Sequence, residues 1–541
     1  MKTRNIFIAA TAFCSVVCIG NVCVTDEPVR RPKALVVMLD GMRADAVENA
    51  HAPNLRMLRD GKWQPGYKCA WSLTANTILD AGTISGPNHI AIASGVTFKK
   101  HTVPGNGKNT CDFKKWPSWL VRLVDAKPEL KTLFMYSWKW DESISPDPRV
   151  EFIHSSDANN AVTMAKRLAA SDAPDAVMWY IDYPDHGGHS FGYYPYTTGY
   201  FNYVHLSDKA IGGALKAIAS RPTFAQEDWL VMVVADHGGY HQSHGMMFGP
   251  ATTIPFLVVG RDVVQGRIAG TPYNFDVAPT VLSHFGVDWS GMGLDGKVAG
   301  KAPAAKDVAR PLKDGLAVYM PFSGNSMTNV VAGGPQALAL ATNTAVMVKG
   351  GFIGGCLHIA GDGNGPRGVC LKGSEKLAFE NGGDYAIAFW MRMPKAPSGD
   401  PAIIGNKDWS KGVNPGMVVA YNGGVLVNNG LAGGGRQDLK PYDVEFGKWA
   451  FYAVTRSRDG VVRFYQGGLD GHLYWMSENA AEVVLSTGMP FHIGQDGTGA
   501  YGHKFTGDVD DFALWTRTLS HEDVRRIYEL GRQGVELAES L

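Results

Sequence analysis

Four separated segments in the first half of the chain hold residues able to do chemistry together: Asp40 in LDGMRAD, Ser85 in TISGPNH, Asp185 and His189 in DYPDHGGH, and Asp236, His237 and His244 in ADHGGYHQSHG. Carboxylate and imidazole together suit zinc or a similar divalent ion, which they bind at about 2.0–2.2 Å. These acids and histidines are too many for one tetrahedral ion and divide naturally between two. A pair of ions roughly 3.5–4 Å apart can activate a nucleophile with one and hold a substrate oxygen with the other. Ser85 supplies the nucleophile, since coordination lowers the pKa of an otherwise unreactive hydroxyl. Gly86 and Pro87 put it on a sharp turn before a helix-like stretch from Asn88 to Ser94, where helix-start amides face a substrate anion. Such a site suits phosphoryl or sulfuryl transfer.

Other residues nearby have plainer readings. His241 rivals His244 as a ligand, and Gly245 favours His244 because it permits close backbone approach. His186 and His89 are read as facing a ligand or the substrate. Asp182 either orients a ligand or lies on the surface, and Asp45 is read as a solvated helix or loop group. The aromatic run Phe191, Tyr193, Tyr194, Tyr196, Tyr200 and Phe201 either lines a slot for a base, sugar or choline-like cation or is packed surface structure.

The elements that must position these residues are apolar runs. Ala34–Leu39, Thr132–Tyr136, Ala176–Ile181, Trp229–Ala235 and Ile254–Val259 read as buried strands. Helix-like stretches such as Asn159–Ala170 and Tyr203–Ile218 lie between them. The alternation predicts an α/β sheet with helices on both faces, and the reactive residues fall just after strands, where open α/β sheets place ligand sites. From Gly315 the grammar changes to short alternating runs, Tyr385–Met393, Gly416–Tyr421, Trp449–Arg456 and Val462–Gln466, separated by Gly, Asn and Asp turns. That pattern predicts an all-β jelly-roll sandwich, closed by a helix capped at Ser520 with Glu522 and Asp523 in its first turn. The expected order is a signal segment 1–23, an α/β domain 32–298, an Ala/Pro/Lys-rich linker 299–313 and a sandwich 314–541.

The chain has 541 residues, with 51 Lys plus Arg against 51 Asp plus Glu, so it lacks the basic excess of a nucleic-acid binder. A composition 45% hydrophobic and 19% charged excludes disorder. Lys2 and Arg4 followed by an apolar run from Ile6 to Ile19 predict a cleaved secretory signal, hence a secreted or periplasmic protein with no membrane span afterwards. In an oxidising compartment the four remaining cysteines pair locally as Cys69 with Cys111 and Cys356 with Cys370, although other connectivities are open.

The reactive segments together resemble the alkaline phosphatase superfamily, most closely its type I phosphodiesterase and nucleotide pyrophosphatase branch. Ser85 stands two residues before Pro87, Asn88 and His89, as the branch's nucleophile does, and Asn106 in HTVPGNG matches its phosphate-binding Asn. The resemblance covers 32–298. It implies a zinc held by Asp185, His189 and His244, another held by Asp40, Ser85, Asp236 and His237, a phosphoseryl intermediate, and a phosphate ester of small-molecule, lipid or nucleotide type as substrate. The short spacing from His237 to His244 departs from the branch and matches other superfamily members. Sulfatases and phosphonate hydrolases share the scaffold, but His89 stands where the sulfatase signature has Arg. A reading from another class is a glycan-binding or adhesion protein with an inactive first domain. The second half resembles laminin G-like, concanavalin A-like modules, whose ligands are glycans or proteins. Trp449, Trp475 and Trp515 are read there as core, and Asp508, Asp510 and Asp511 as turn and strand-end residues, so no calcium is predicted.

Overall fold

The computed structural model describes residues 30–540, apart from 79, 195–196, 248, 303–309, 342, 361–364, 441–442, 458–460, 469–470 and 480–482. Ahead of them it describes two short paired strands, Val16–Cys18 and Cys23–Thr25. The rest of the expected signal segment, most of the expected linker and Tyr196 lie outside the described residues.

In the first half, an eight-stranded sheet is built from β1 (Arg31–Leu39), β2 (Lys68–Asn76), β3 (Thr132–Tyr136), β4 (Val150–His154), β5 (Ala176–Ile181), β6 (Glu227–Ala235), β7 (Thr253–Gly260) and β8 (Gly266–Arg267). The spatial order is β8-β2-β7-β6-β1-β5-β3-β4, and β7 runs against both its neighbours. The central strands are buried along their length because both faces are covered, which is why they read as unbroken apolar runs. Register then does the positioning. Leu39 lies opposite both Ile181 and Ala235, so the next residues, Asp40, Asp182 and Asp236, leave the sheet side by side at its carboxyl edge.

The helices that bear on the site are α1 (Ala46–Asn49), α2 (Pro53–Arg59), α3 (Ser85–Ser94), α4 (Trp119–Ala126), α5 (Asp157–Ala169), α6 (Tyr183–Phe191), α7 (Thr198–Ala219), α8 (Gly249–Thr252) and α9 (Val277–His284). One group packs around α7, which touches α2, α5 and α6, and a second joins α9 to α3 and α4. Ser85 is already the first residue of α3, with Ile84 as its cap, rather than a turn residue ahead of the helix. Gly86 and Pro87 are compatible with the first helical turn, where an N–H needs no partner. No helix among the described residues is long and apolar enough to cross a membrane.

In the second half, two antiparallel sheets face each other as a sandwich. The first runs in the order β13 (Gly507–Trp515), β9 (Tyr385–Arg392), β10 (Ala450–Arg456), β11 (Val461–Gly467) and β12 (Leu473–Asn479), with further strands beyond β13. Alternation sorts its residues: Ile387, Phe389, Val454, Phe464 and Leu514 meet Ile404, Val419 and Val427 of the second sheet, while Ala388, Trp390, Phe451, Tyr465 and Trp515 point outward. The outward set is covered by the closing helix α10 (His521–Arg532), which is entered through a reciprocal Ser520–Asp523 capping box. Trp475 and Trp515 are buried core, as read from sequence, and the Arg392 guanidinium lies 4.8 Å from the Trp449 ring centre. The disulfide expectation is corrected: Cys69, Cys111, Cys356 and Cys370 are all free thiols. Cys356 lies in the strand Gly355–Ile359 of one sheet and Cys370 in Val369–Lys372 of the other.

Candidate functional site

Asp40 and Asp236 emerge from adjacent strands, and the turn after β6 carries His237 between them. Its Nε2 lies 3.3 Å from Asp40 Oδ1 and 3.2 Å from Asp236 Oδ2, and Ser85 Oγ is 3.1 Å away on the same nitrogen. All four side chains are buried. On α6 Asp185 and His189 stand four residues apart on one face, with His189 Nε2 3.3 Å from Asp185 Oδ2. His244 Nε2 approaches Asp185 Oδ1 at 3.9 Å, and its ring stacks on His237 with centroids 4.1 Å apart. Thus Asp40, Ser85, Asp185, His189, Asp236, His237 and His244, spread over more than 200 residues of chain, converge on one spot at the carboxyl edge of the sheet.

Asn106 joins them from its loop. Its Oδ1 accepts the Gly86 amide at 2.8 Å, which leaves the side-chain amide as a donor next to Ser85. A Cβ at Gly86 would fall 2.9 Å from Gly105 O and 3.0 Å from the Trp140 ring, so the closeness of this loop depends on glycine. His241 is not in the cluster; it is exposed, has φ 51°, and its ring nitrogen meets the Tyr194 hydroxyl. His186 is also outside, paired with Asp182 at 3.4 Å.

The imidazoles are oriented by the main chain. Nδ1 of His189 bonds to Gln242 O at 2.9 Å, Nδ1 of His237 to Gly238 O at 2.7 Å and Nδ1 of His244 to Thr83 O at 2.8 Å. A carbonyl can only accept, so each Nδ1 carries a proton and each Nε2 is turned toward the cluster.

Electrostatics favour a cation here. Burial and the Asp236 and Asp185 carboxylates push Asp40 well above the usual carboxylate range. Burial opposes ionisation of Asp236 as well, but His237 and His89 hold it below that range. Burial likewise opposes Asp185, which His189, His237 and His244 bring down to about 2. Burial and the adjacent His237 lower His244 to about 4, keeping it neutral, while the Asp185 hydrogen bond lifts His189 to about 9. Asp40 Oδ1 and Asp236 Oδ2 are buried with no hydrogen-bond partner among the described residues, an arrangement that costs free energy unless a cation satisfies it. The carboxylates of Asp40, Asp185 and Asp236 and the imidazoles of His237 and His244 form close groups of three whose donor types fit zinc-like ions.

Further residues support the ligands from behind, among them His89, which the sequence already places facing a ligand. His89, fully buried, bonds through Nδ1 to Asp141 at 2.8 Å and places Nε2 3.2 Å from Asp236 Oδ2. Tyr180 donates to Asp40 at 2.7 Å and to Asp182 at 3.0 Å. Tyr193 and Tyr200 are wholly buried and do not line a slot: the Tyr193 hydroxyl donates to Asp185, and Tyr200 donates to Gly41 O. Asp45 is not solvated; it forms a buried pair with Arg43, whose guanidinium also donates to Gly239 O behind the His237 turn.

Residues 34–245 match the type I phosphodiesterase / nucleotide pyrophosphatase family model. Residues 365–525 match the concanavalin A-like lectin/glucanases superfamily, in keeping with the sandwich. A search of curated proteins finds no match. Among solved structures, murine ectonucleotide pyrophosphatase / phosphodiesterase 5 in complex with AMP is similar at 13% identity and TM-score 0.38, covering 48% of this chain and 96% of that one. An alkaline phosphatase superfamily protein from Vibrio parahaemolyticus is similar at 17% identity and TM-score 0.38, over 50% of this chain and 71% of its own. A 2-O GAG sulfatase is similar at 12% identity and TM-score 0.38, over 48% and 71%.

Proposed function

We propose that this chain is an exported, two-zinc phosphoric ester hydrolase that acts most readily on phosphodiesters. Asp40, Ser85, Asp236 and His237 would hold one ion, and Asp185, His189 and His244 the other. The ions would supply Lewis acidity, lowering the pKa of the serine hydroxyl and offsetting charge on the phosphoryl oxygens. The chain's own residues do the rest. Ser85 Oγ attacks phosphorus and expels the alcohol, giving a phosphoserine ester that water then hydrolyses. The Asn106 side-chain amide donates to a non-bridging oxygen, and the buried walls keep Ser85 aligned with it. The observation that carries the reading is the pair of orphaned oxygens, Asp40 Oδ1 and Asp236 Oδ2, set with His237 Nε2 around Ser85 Oγ. Export is supported by the basic and apolar start of the sequence.

A sulfatase or phosphonate hydrolase is the competing chemistry. His89, at the place of the sulfatase Arg, is engaged with Asp141 and Asp236 beneath the site, which supports phosphate over sulfate. Parallel assays of an aryl phosphodiester, monoester, phosphonate and sulfate test this, with the diester expected to dominate; a dominant sulfate rate would reverse the assignment. Metal analysis tests the non-enzymatic alternative: about two zinc ions per chain are expected, and an intact fold with none points to a binding protein.

A further inference from the structure

The sandwich docks on the first domain through polar and apolar contacts, and the dock lies directly behind the turn that carries Asp236 and His237. Glu48 of α1 is its centre. It meets His521 Nε2 at 3.2 Å and the Arg525 guanidinium, both from α10, and Arg59 at 2.9 Å from its own domain. Burial opposes ionisation of Glu48, yet these cations bring it down to about 2. Next to it, Asn49 Nδ2 donates to Leu473 O at 3.2 Å, and the Phe201 and His472 rings lie 5.8 Å apart. Leu473, Trp475, Val524 and Ile527 belong to the same buried apolar cluster as β1 and β6. A module hanging from a linker would share no such core.

The innermost contact is Thr253, whose Oγ1 donates to Ser477 O of the edge strand β12 at 3.1 Å. Thr253 opens β7 immediately after α8, and β12 packs on both. The turn after β6 rests on α8. Gly238 N donates to Ala251 O at 2.7 Å, and a Cβ at Gly238 would run into Pro250 O. Ser477, Thr253, Ala251, Gly238 and His237 therefore form a continuous mechanical line from sandwich to reacting centre.

We propose that the sandwich is a brace: docking of β12 and α10 fixes α8, and α8 holds Asp236 and His237 where the orphaned oxygens meet. Thr253 and Glu48 are positioning residues. The proposal rests on the hydrolase reading only for its effect on turnover, because the bracing of the turn is a property of the metal-free chain. Full-length Thr253→Val and Glu48→Gln test it, with Arg310→Ala, which breaks a linker-to-sandwich pair with Glu380 away from the dock, as control. Exchange of the Gly238 amide in the metal-free protein is expected to quicken about tenfold in both dock variants and to stay unchanged in the control. On bis(p-nitrophenyl) phosphate, the dock variants are expected to need about tenfold more zinc for half-maximal rate while keeping kcat within about twofold at saturation. Unchanged Gly238 exchange in both dock variants would overturn the brace, even if their melting temperatures fall. Faster exchange in a chain whose parent shows no turnover supports the brace and overturns the hydrolase reading instead.

Discussion

In the first domain Asp40 and Asp236 each keep one buried oxygen without a hydrogen-bond partner among the described residues, whereas Asp508, Asp510 and Asp511 of the sandwich have theirs committed. Asp508 accepts from His358 at 2.7 Å and from Arg392 at 2.8 Å, Asp510 from the Ile353 and Asp511 amides at 2.8 Å each, and Asp511 from Tyr319 at 2.6 Å. Burial pushes both Asp510 and Asp511 up to about 7, so they relieve their desolvation by taking protons. At the sheet edge that relief is incomplete: Asp40 is raised, but Asp185 and Asp236 are held below the usual carboxylate range beside the inward-turned rings of His237 and His244. A cluster of acids is thus informative only when its acceptor capacity is unspent. Unspent oxygens together with neutral nitrogens make a cation site, and spent oxygens make a strut.

The sharpest way to break this contrast is Ser85→Ala, expected to cut turnover on an activated diester by roughly 1,000-fold or more while bound metal is retained; undiminished turnover would end the covalent route. Asp236→Asn should lower bound zinc from about two ions per chain to about one, read by elemental analysis of the purified protein. Glu48 supplies a third kind of buried acid, one spent on cations. Its folded pKa of about 2 lies below the ordinary 4.5, so its stabilisation is full above about pH 4.5 and is lost as pH falls toward 2. The stability gap between the parent chain and Glu48→Gln, measured by denaturant unfolding, should be about 3 kcal/mol near pH 6 and close in that acidic window. Asn106→Ala should slow the diester reaction about 100-fold with zinc content unchanged. Asp510→Asn should leave bound metal unaltered, and any loss of metal there would erase the distinction drawn between the two sets of aspartates.

Much of this was legible in sequence because buried parallel strands announce themselves as unbroken apolar runs, and the residue after each run is forced to the sheet's carboxyl edge. Asp40 and Asp236 follow from that rule. Strand β2 escaped notice because KCAWSLTAN mixes polar and apolar residues, and its pairing with β7 breaks register between Ser72 and Ala75. Ser85 was placed one step too early because Gly-Pro reads as a turn although both residues fit a first helical turn. The choice of His244 over His241 was only weakly marked, by a glycine; in the structure His241 adopts a left-handed backbone conformation that carries it away. Asp141, Tyr180 and Arg43 had no spacing to reveal them, since their roles come from contacts across 52 to 196 residues of chain.

The three inward-facing imidazoles hang from peptide carbonyls of Gln242, Gly238 and Thr83, not from acidic side chains. Their tautomers are therefore insulated from point mutation: no exchange of a neighbouring side chain deletes the acceptor that sets them. Evolution or an engineer can reshape everything around these rings and still inherit correctly protonated ligands, whereas inserting or deleting residues in the loops that supply the carbonyls would turn the rings and silence the site.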